Sequence, residues 1–502
     1  MNWNPHLATG FNANVPEYQL ITYRGVRVPA VFQTAVNAVS GTRPMSALLD
    51  NMAVIRGYNS LTDGHDVNTG LQNFPDASTP SLSGISADHR SDLVPAVGAN
   101  FLNLPFKSKR GLSLSIVKDH NGTTGGSING LMKMFKVSST TKQGLLGLDQ
   151  VRDVVDLLHE AANAQATADS GRSAAMKDQL KNARALAMLA AEDLVSQWNT
   201  LYNKYLAIAQ GTFRATGSAA GFGESPIFMD PTESLDFNLR GNIQTTYDLR
   251  ESLNSAMPGA NMIRSFALAE YCLKKGVSGS LLLGWGDNVN NISLRLGTDT
   301  TPTVLGVGND QHNVPARMGT LMNAAYYRGL GTCLLELIDS LKATNVNGKS
   351  LFDSTVIHLT GDFSRSPRFD KVGTDHGWNA QVTSVSRESL MVRFVVGNIS
   401  AVKTGGYRGL WGLAANVDFN GAKEMLSPRH VGAAVANLIG GVNPGSLPIV
   451  SGNLTRRASW KPRLEQKSYD GTSTKDLFNI RRRPDRRGMF ASAGGAHHTR
   501  EG

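Results

Sequence analysis

Three short stretches place carboxylates and imidazoles close together along the chain. Asp310 and His312 stand two apart in GNDQHN. Asp362, Ser364, Arg365, Arg368, Asp370, Asp375 and His376 crowd the segment GDFSRSPRFDKVGTDHGWN. Asp63, His65 and Asp66 share TDGHDVN. Carboxylate oxygen suits Mg, Mn and Ca, and imidazole suits Zn and Fe, so these residue types point to a divalent-metal site. In an extended loop residues two apart face the same side, which lets Asp310 and His312 serve one ion. A bound ion would polarise an ester oxygen or acidify a water, and Arg365 would add a planar fork for phosphate or sulfate oxygens. Each piece also has a plain reading. Asp362 follows Gly361 at a strand end, where Asp is a common turn residue, and Asp375-His376-Gly377 reads equally as a turn. His358 lies inside a strand and reads as a core histidine. His89, His430, His497 and His498 are assigned no role.

The elements around these stretches alternate in type. The run Tyr18–Tyr23 is strand-like. SALLDNMAVIRGY (46–58) reads as a helical turn and then a strand, Met52–Ile55, closing on Gly57. Residues 59–130 are dominated by Gly, Ser, Thr, Asn, Asp and Pro and are expected to form long ordered loops. Residues 146–210 carry helical spacing and much Ala, so two long helices are expected, an α-hairpin acting as a cap or an oligomer contact. Leu249–Cys272 reads as an amphipathic helix that stops at Gly276, and Ser278–Leu283 as a short apolar strand. Residues 317–343 read as a helix, 354–360 and 389–397 as strands. Residues 427–439 read as a closing helix with Ser427 as N-cap and Pro428 at its first position. Strand and helix in alternation imply an α/β fold, a central, mostly parallel sheet with helices on both faces. Ligands bind such sheets beyond the carboxyl ends of the strands, where the candidate loops fall.

Composition narrows the class. The chain has 502 residues, with 41% hydrophobic and 18% charged residues, which is ordinary for a globular protein and argues against wholesale disorder. Cys272 and Cys333 are the only cysteines, which excludes a disulfide framework or a Cys-based zinc site; both read as buried thiols. No apolar run is long enough to span a membrane, and the first residues lack the basic and apolar pattern of an export signal. The net charge is +10, with much of the excess between Arg456 and Arg487. That basic tail would attract an acidic partner. The densest run, RRRPDRR (481–487), holds no aromatic residue of the kind a base-stacking platform requires. The chain therefore divides into an α/β domain over residues 1–450, with its helical insertion at 146–210, and a basic, loop-rich extension over 451–502.

The order of the segments resembles a sulfatase-like branch of the alkaline-phosphatase superfamily, a large family of bacterial, often exported proteins. That family shows a leucine-rich helix ending in Gly-Val, a strand, and a Trp-Asp-Thr-His motif. A strand leading into Ser-Glu-Phe-Gly-Arg-Thr follows, and then a Gly-Thr-Asp-His-Gly loop. Here those places read FALAEYCLKKGVSGSLLLGWG, NDQH, FDSTVIHLTGDFSRSP and GTDHG. GGYRGLWG, LSPRHVGAAVANLIGGVNP and the upstream PMSALLDNMAVIRGYNSLTDGHDVN also match. The resemblance covers residues 45–110 and 245–450. It implies an alkaline-phosphatase-like fold and a divalent metal (Zn, Mn, Ca or Mg) held by Asp310, His312, Asp362 and His376. It also implies anion binding by Arg365, and for His65 a further ligand or acid/base role. It implies a periplasmic or cell-surface location, although no export signal stands in this chain. Asp362 replaces the family's Glu and shortens the reach. Asn309 replaces the Trp and Ser364 the Gly. The strand that ends in an Asp followed by a Ser or Thr nucleophile has no counterpart before residue 45.

Beside a nucleic-acid-associated role through the arginine tail, two functions are consistent with this pattern. One is a metal-dependent hydrolase-like protein acting on phosphate or sulfate esters, an anionic substrate. The other is a non-catalytic structural or surface-assembly protein that keeps the fold, with homo-oligomerisation through its insertion.

Overall fold

A computed structural model of the chain describes residues 20–23, 26–38, 41–60, 62, 64–74, 76, 78–99, 105–117, 194–213, 260–284, 292–296, 303–307, 316–367, 374–377, 381–387, 395–396, 399–400, 413–414, 416–419, 422–440, 464–467, 473–476 and 487–493. Asp310 and His312 lie outside them, as do Asp63, the first helix expected over 146–210, and most of the strand expected over 389–397.

Eight strands form the central sheet: β1 (Met52–Tyr58), β2 (Ala96–Ala99), β3 (Leu114–Val117), β4 (Ser280–Gly284), β5 (Thr355–Gly361), β6 (Gln381–Ser386), β7 (Val395–Val396) and β8 (Arg487–Ala493). Their spatial order is β7-β1-β6-β5-β8-β4-β2-β3. Only β6 runs against its neighbours, pairing antiparallel with β1 and β5; every other pair is parallel. The fold is thus α/β with a mostly parallel sheet.

Strand pleating sends alternate side chains into two cores. Met52, Val54, Leu281, Leu283, Ile357 and Leu359 enter one cluster, with α3 (Leu194–Phe213), α4 (Ala260–Lys275) and α5 (Ala316–Ala343). Ala53, Ile55, Leu282 and Val356 enter the other, with α2 (Leu82–Asp88) and α6 (Pro428–Gly440). Both faces are covered, which is why β4 (SLLLG) and the start of β1 (MAVI) read as continuous apolar runs.

Several elements follow from local rules. α4 ends with Gly276 at φ 66°. The Gly276 N–H donates to the Leu273 carbonyl and the Val277 N–H to that of Cys272, the paired bonds of a Schellman cap. α6 begins at Pro428, and His430 Nδ1 accepts from the Ser427 N–H at 3.1 Å, a reciprocal cap of the kind Glu or Gln usually supplies. Arg387 is buried, and its Nη1 donates to the Leu438 carbonyl at 3.0 Å in the last turn of α6. Cys272 and Cys333 are buried free thiols.

Three expectations change. The stretch expected as long loops holds α1 (His65–Asn73), α2, β2 and β3. Weak helix formers are overridden there by capping and packing. Ser81 Oγ accepts from the Gly84 N–H at 3.0 Å, and Gly84 lies so close to the Lys107 carbonyl that no side chain fits. The described helix of the insertion is part of the core. Trp198, Tyr205 and Ala209 of α3 are fully buried in the first core against α4 and α5. The basic extension is not wholly outside the domain, because β8 sits between β5 and β4 with Gly361 opposite Ala493.

Between α3, α4 and α5 lies a charged knot. Glu270 is 1% exposed and accepts from Lys204 Nζ (2.6 Å), the Tyr205 hydroxyl (2.6 Å), Lys274 Nζ (2.9 Å) and Ser340 Oγ (2.5 Å). Lys204 also reaches Glu336 at 3.1 Å. A carboxylate this deep in the fold requires such partners.

Candidate functional site

The site assembles where β1 and β5 end. β1 stops at Tyr58, and after a short loop the chain turns into α1 with His65 as its first residue and Gly64 as its N-cap. β5 ends at Gly361, so Asp362 is delivered just past the carboxyl edge of the sheet. A two-stranded hairpin, Ser364–Pro367 against Thr374–Gly377, follows at once and sets Arg365 across from His376 in its register.

Sequence-distant groups meet here. His65 Nδ1 lies 2.5 Å from Asp362 Oδ2. An ionised carboxylate only accepts, so Nδ1 carries the proton and Nε2 is the nitrogen turned away from Asp362. The Phe363 N–H donates to Asp362 Oδ1 at 2.9 Å. Each carboxylate oxygen therefore accepts a hydrogen bond from a described residue. The His65 ring packs at 4.6 Å, centroid to centroid, from those of both Phe363 and His376, and Phe363 and His376 are 4.2 Å apart. Asp362 and Phe363 are buried, while His65 and His376 are half-buried at the rim.

The field of the carboxylate reaches its neighbours. Burial, and after it the negative charge of Asp362, pushes the Tyr327 phenol of α5 up to about 12. Tyr58 is held well above the ordinary phenol range, first by burial; hydrogen bonds with Thr360 and Gln72 work against this and the charge of Asp362 adds to it. Beneath the site, the Tyr58 hydroxyl donates to Gln72 Oε1 at 2.8 Å, and Thr360 Oγ1 donates to the same oxygen at 3.0 Å. Gln381 Nε2 donates to the Gly361 carbonyl at 2.8 Å, fixing the backbone just before Asp362. His358, deeper on the same face of β5, is pushed down to about 4 by burial, with Nε2 2.8 Å from Thr383 Oγ1. It is a neutral core histidine, as the sequence suggested.

Of the expected site residues, the structure brings His65, Asp362 and His376 together and puts Arg365 across the hairpin from His376. Asp310 and His312 precede α5 and lie outside the described residues. Among the described residues no three His, Cys, Asp or Glu side chains form a group able to hold an ion. Two imidazoles and a carboxylate are nonetheless the donor types a borderline divalent ion takes. Sequence reasoning missed Phe363, Tyr58, Gln72, Thr360 and Tyr327. Tyr58 and Thr360 carried a usable signal, standing at the carboxyl ends of strands; Gln72 carried none, because its helix read as a loop. No helix among the described residues is long and apolar enough to cross a membrane. No family model, curated protein or solved structure matches the chain.

Proposed function

We propose that this chain is a metal-dependent hydrolase-like protein with an alkaline-phosphatase-like arrangement, acting on phosphate or sulfate esters. One observation carries the reading. A His–Asp pair and a second imidazole converge from three separate segments at the carboxyl edge of a mostly parallel sheet, where such folds bind ligands. Asp362 and His376 would hold a divalent ion, with Asp310 and His312 completing its ligands. The ion would supply Lewis acidity toward an ester oxygen or a water. His65, oriented through Nδ1 by Asp362, has Nε2 as its proton-transfer atom. Arg365, placed across from His376, would take the oxygens of the anion.

Elemental analysis and calorimetric titration with Zn, Mn, Mg and Ca test the reading, alongside hydrolysis of aryl phosphates and sulfates. The expected result is binding of at least one ion, weakened in Asp362→Asn and His376→Ala. A protein that takes none of the four and cleaves neither ester rejects it. The second reading is a non-catalytic assembly module that keeps the fold. High-order particles in electron microscopy, together with no ion and no hydrolysis, would select it.

A further inference from the structure

The buried hydroxyl–amide cluster below Asp362 has the layout of a positioning device for the pair above it. α1 meets β5 at two points. His65 and Gln72 are seven residues apart, so they stand on one face of the helix, two turns from each other. Thr360 is the last residue but one of β5, and Asp362 stands two residues on, just past the strand's end at Gly361. His65 meets Asp362, and Gln72 meets Thr360. Tyr58, from the end of β1, donates a second hydrogen bond to the same Gln72 oxygen. All three residues are buried, at 0% for Tyr58, 5% for Gln72 and 4% for Thr360, so water does not substitute for a lost donor.

We propose that Tyr58, Gln72 and Thr360 are positioning residues that set the rotation and height of α1 against β5, and thereby hold His65 Nδ1 on Asp362. The proposal rests on the reading of His65, Asp362 and His376 as the site. Removing both hydroxyls leaves a buried acceptor unsatisfied, and α1 moves to satisfy it, which carries His65 off the carboxylate. The second point of attachment then fails because the first has failed.

The test uses the full chain labelled with ¹⁵N-histidine, at a pH where the imidazoles are neutral. Long-range nitrogen–proton correlations read the tautomer of His65, assigned by its absence in His65→Ala. The wild type is expected as Nδ1–H. In Tyr58→Phe/Thr360→Val, which keeps the ring and the side-chain shape, the population shifts to Nε2–H while far-ultraviolet circular dichroism stays native. Thr360→Ser, which keeps the hydroxyl, retains the Nδ1–H form. If the double variant does not fold, the single variants carry the comparison, with a partial shift in each. An unchanged tautomer in the folded variants, or a wild type already in the Nε2–H form, overturns the proposal. The readout needs no ion and no turnover. Failure of the wild type to bind Zn, Mn, Mg or Ca and to cleave either ester would reject the proposed function while leaving the positioning result intact. If an ion does bind, its affinity should fall in the double variant by roughly the 10- to 100-fold typical of lost outer-shell partners.

Discussion

Replacing Glu270 by Gln removes the charge on which three helices converge. Burial works against the Glu270 carboxylate, but the Lys204 charge and hydrogen bonds from Lys204, Ser340 and Tyr205 outweigh it and pull the carboxyl from 4.5 down to about 2. Each pKa unit corresponds to about 1.36 kcal/mol, so the drop is worth roughly 3 kcal/mol of folding free energy at neutral pH. Because the folded-state value is the lower one, the unfolded chain takes up a proton first on acidification. The stabilisation is complete above about pH 4.5 and drains away as pH falls towards about 2. By about pH 3 roughly 2 kcal/mol of it is gone. The variant also takes one carboxylate from Lys204, which keeps Glu336 and the face of the Tyr205 ring, and breaking one side of a buried ion pair costs about 3–5 kcal/mol. Urea denaturation of both proteins, followed by far-ultraviolet circular dichroism, should show the variant weaker by about 3 kcal/mol near neutral pH. That gap should narrow by roughly 2 kcal/mol towards about pH 3. A neutral-pH gap under about 1 kcal/mol, the range of an exposed pair, would refute the reasoning, and so would a gap that widens in acid.

Further outcomes follow from the same packing. Trp198→Ala should cost about 3–5 kcal/mol in the same denaturation assay, because the indole is fully buried between α3 and its neighbours; a cost under about 1 kcal/mol would return α3 to the role of a peripheral cap. Gly84→Ala places a methyl 1.9 Å from the Lys107 carbonyl oxygen, so a loss of about 1–3 kcal/mol or more is expected, and a neutral effect on the melting temperature would contradict the close approach. Deleting residues 487–502 removes β8 and leaves the facing edges of β5 and β4 unpaired in mid-sheet. The truncated chain should be insoluble or bind a hydrophobic dye, and a monomeric, cooperatively melting product would show that the sheet closes without β8. His430→Ala removes the side chain that accepts from the Ser427 N–H at the start of α6 and should cost about 1 kcal/mol by denaturation.

Strands and helices with strong local signatures were legible from residues alone. The apolar run Ser280–Gly284 and the β-branched run Thr355–Gly361 lie within a residue or two of expectation. So do the glycine stop at Gly276 and the helix start at Ser427-Pro428. Each is specified by neighbours in the chain: backbone steric limits, capping donors and hydrophobic period. The site was legible as a list of residue types at strand ends, because carboxylate and imidazole chemistry is written in the side chains themselves. The burial of His358 and the thiol character of Cys272 and Cys333 were equally readable, since each sits in an apolar run.

Other features had no local signal. α1 and α2 are rich in Gly, Ser, Asn, Asp and other weak helix formers, and they are helices because Ser81 caps α2 and both pack on the sheet; the energy comes from contacts far along the chain. β8 took its place from a segment whose composition reads as a solvated basic tail, because pairing with β5 and β4 satisfies backbone groups whatever the side chains are. The His65–Asp362 contact joins positions 297 residues apart. Residue identity alone determined which groups were capable of chemistry. Which of them touch was decided only when the sheet brought the ends of β1 and β5 to one edge, since hydrogen bonds act over a few ångströms and sequence spacing beyond a loop carries no distance.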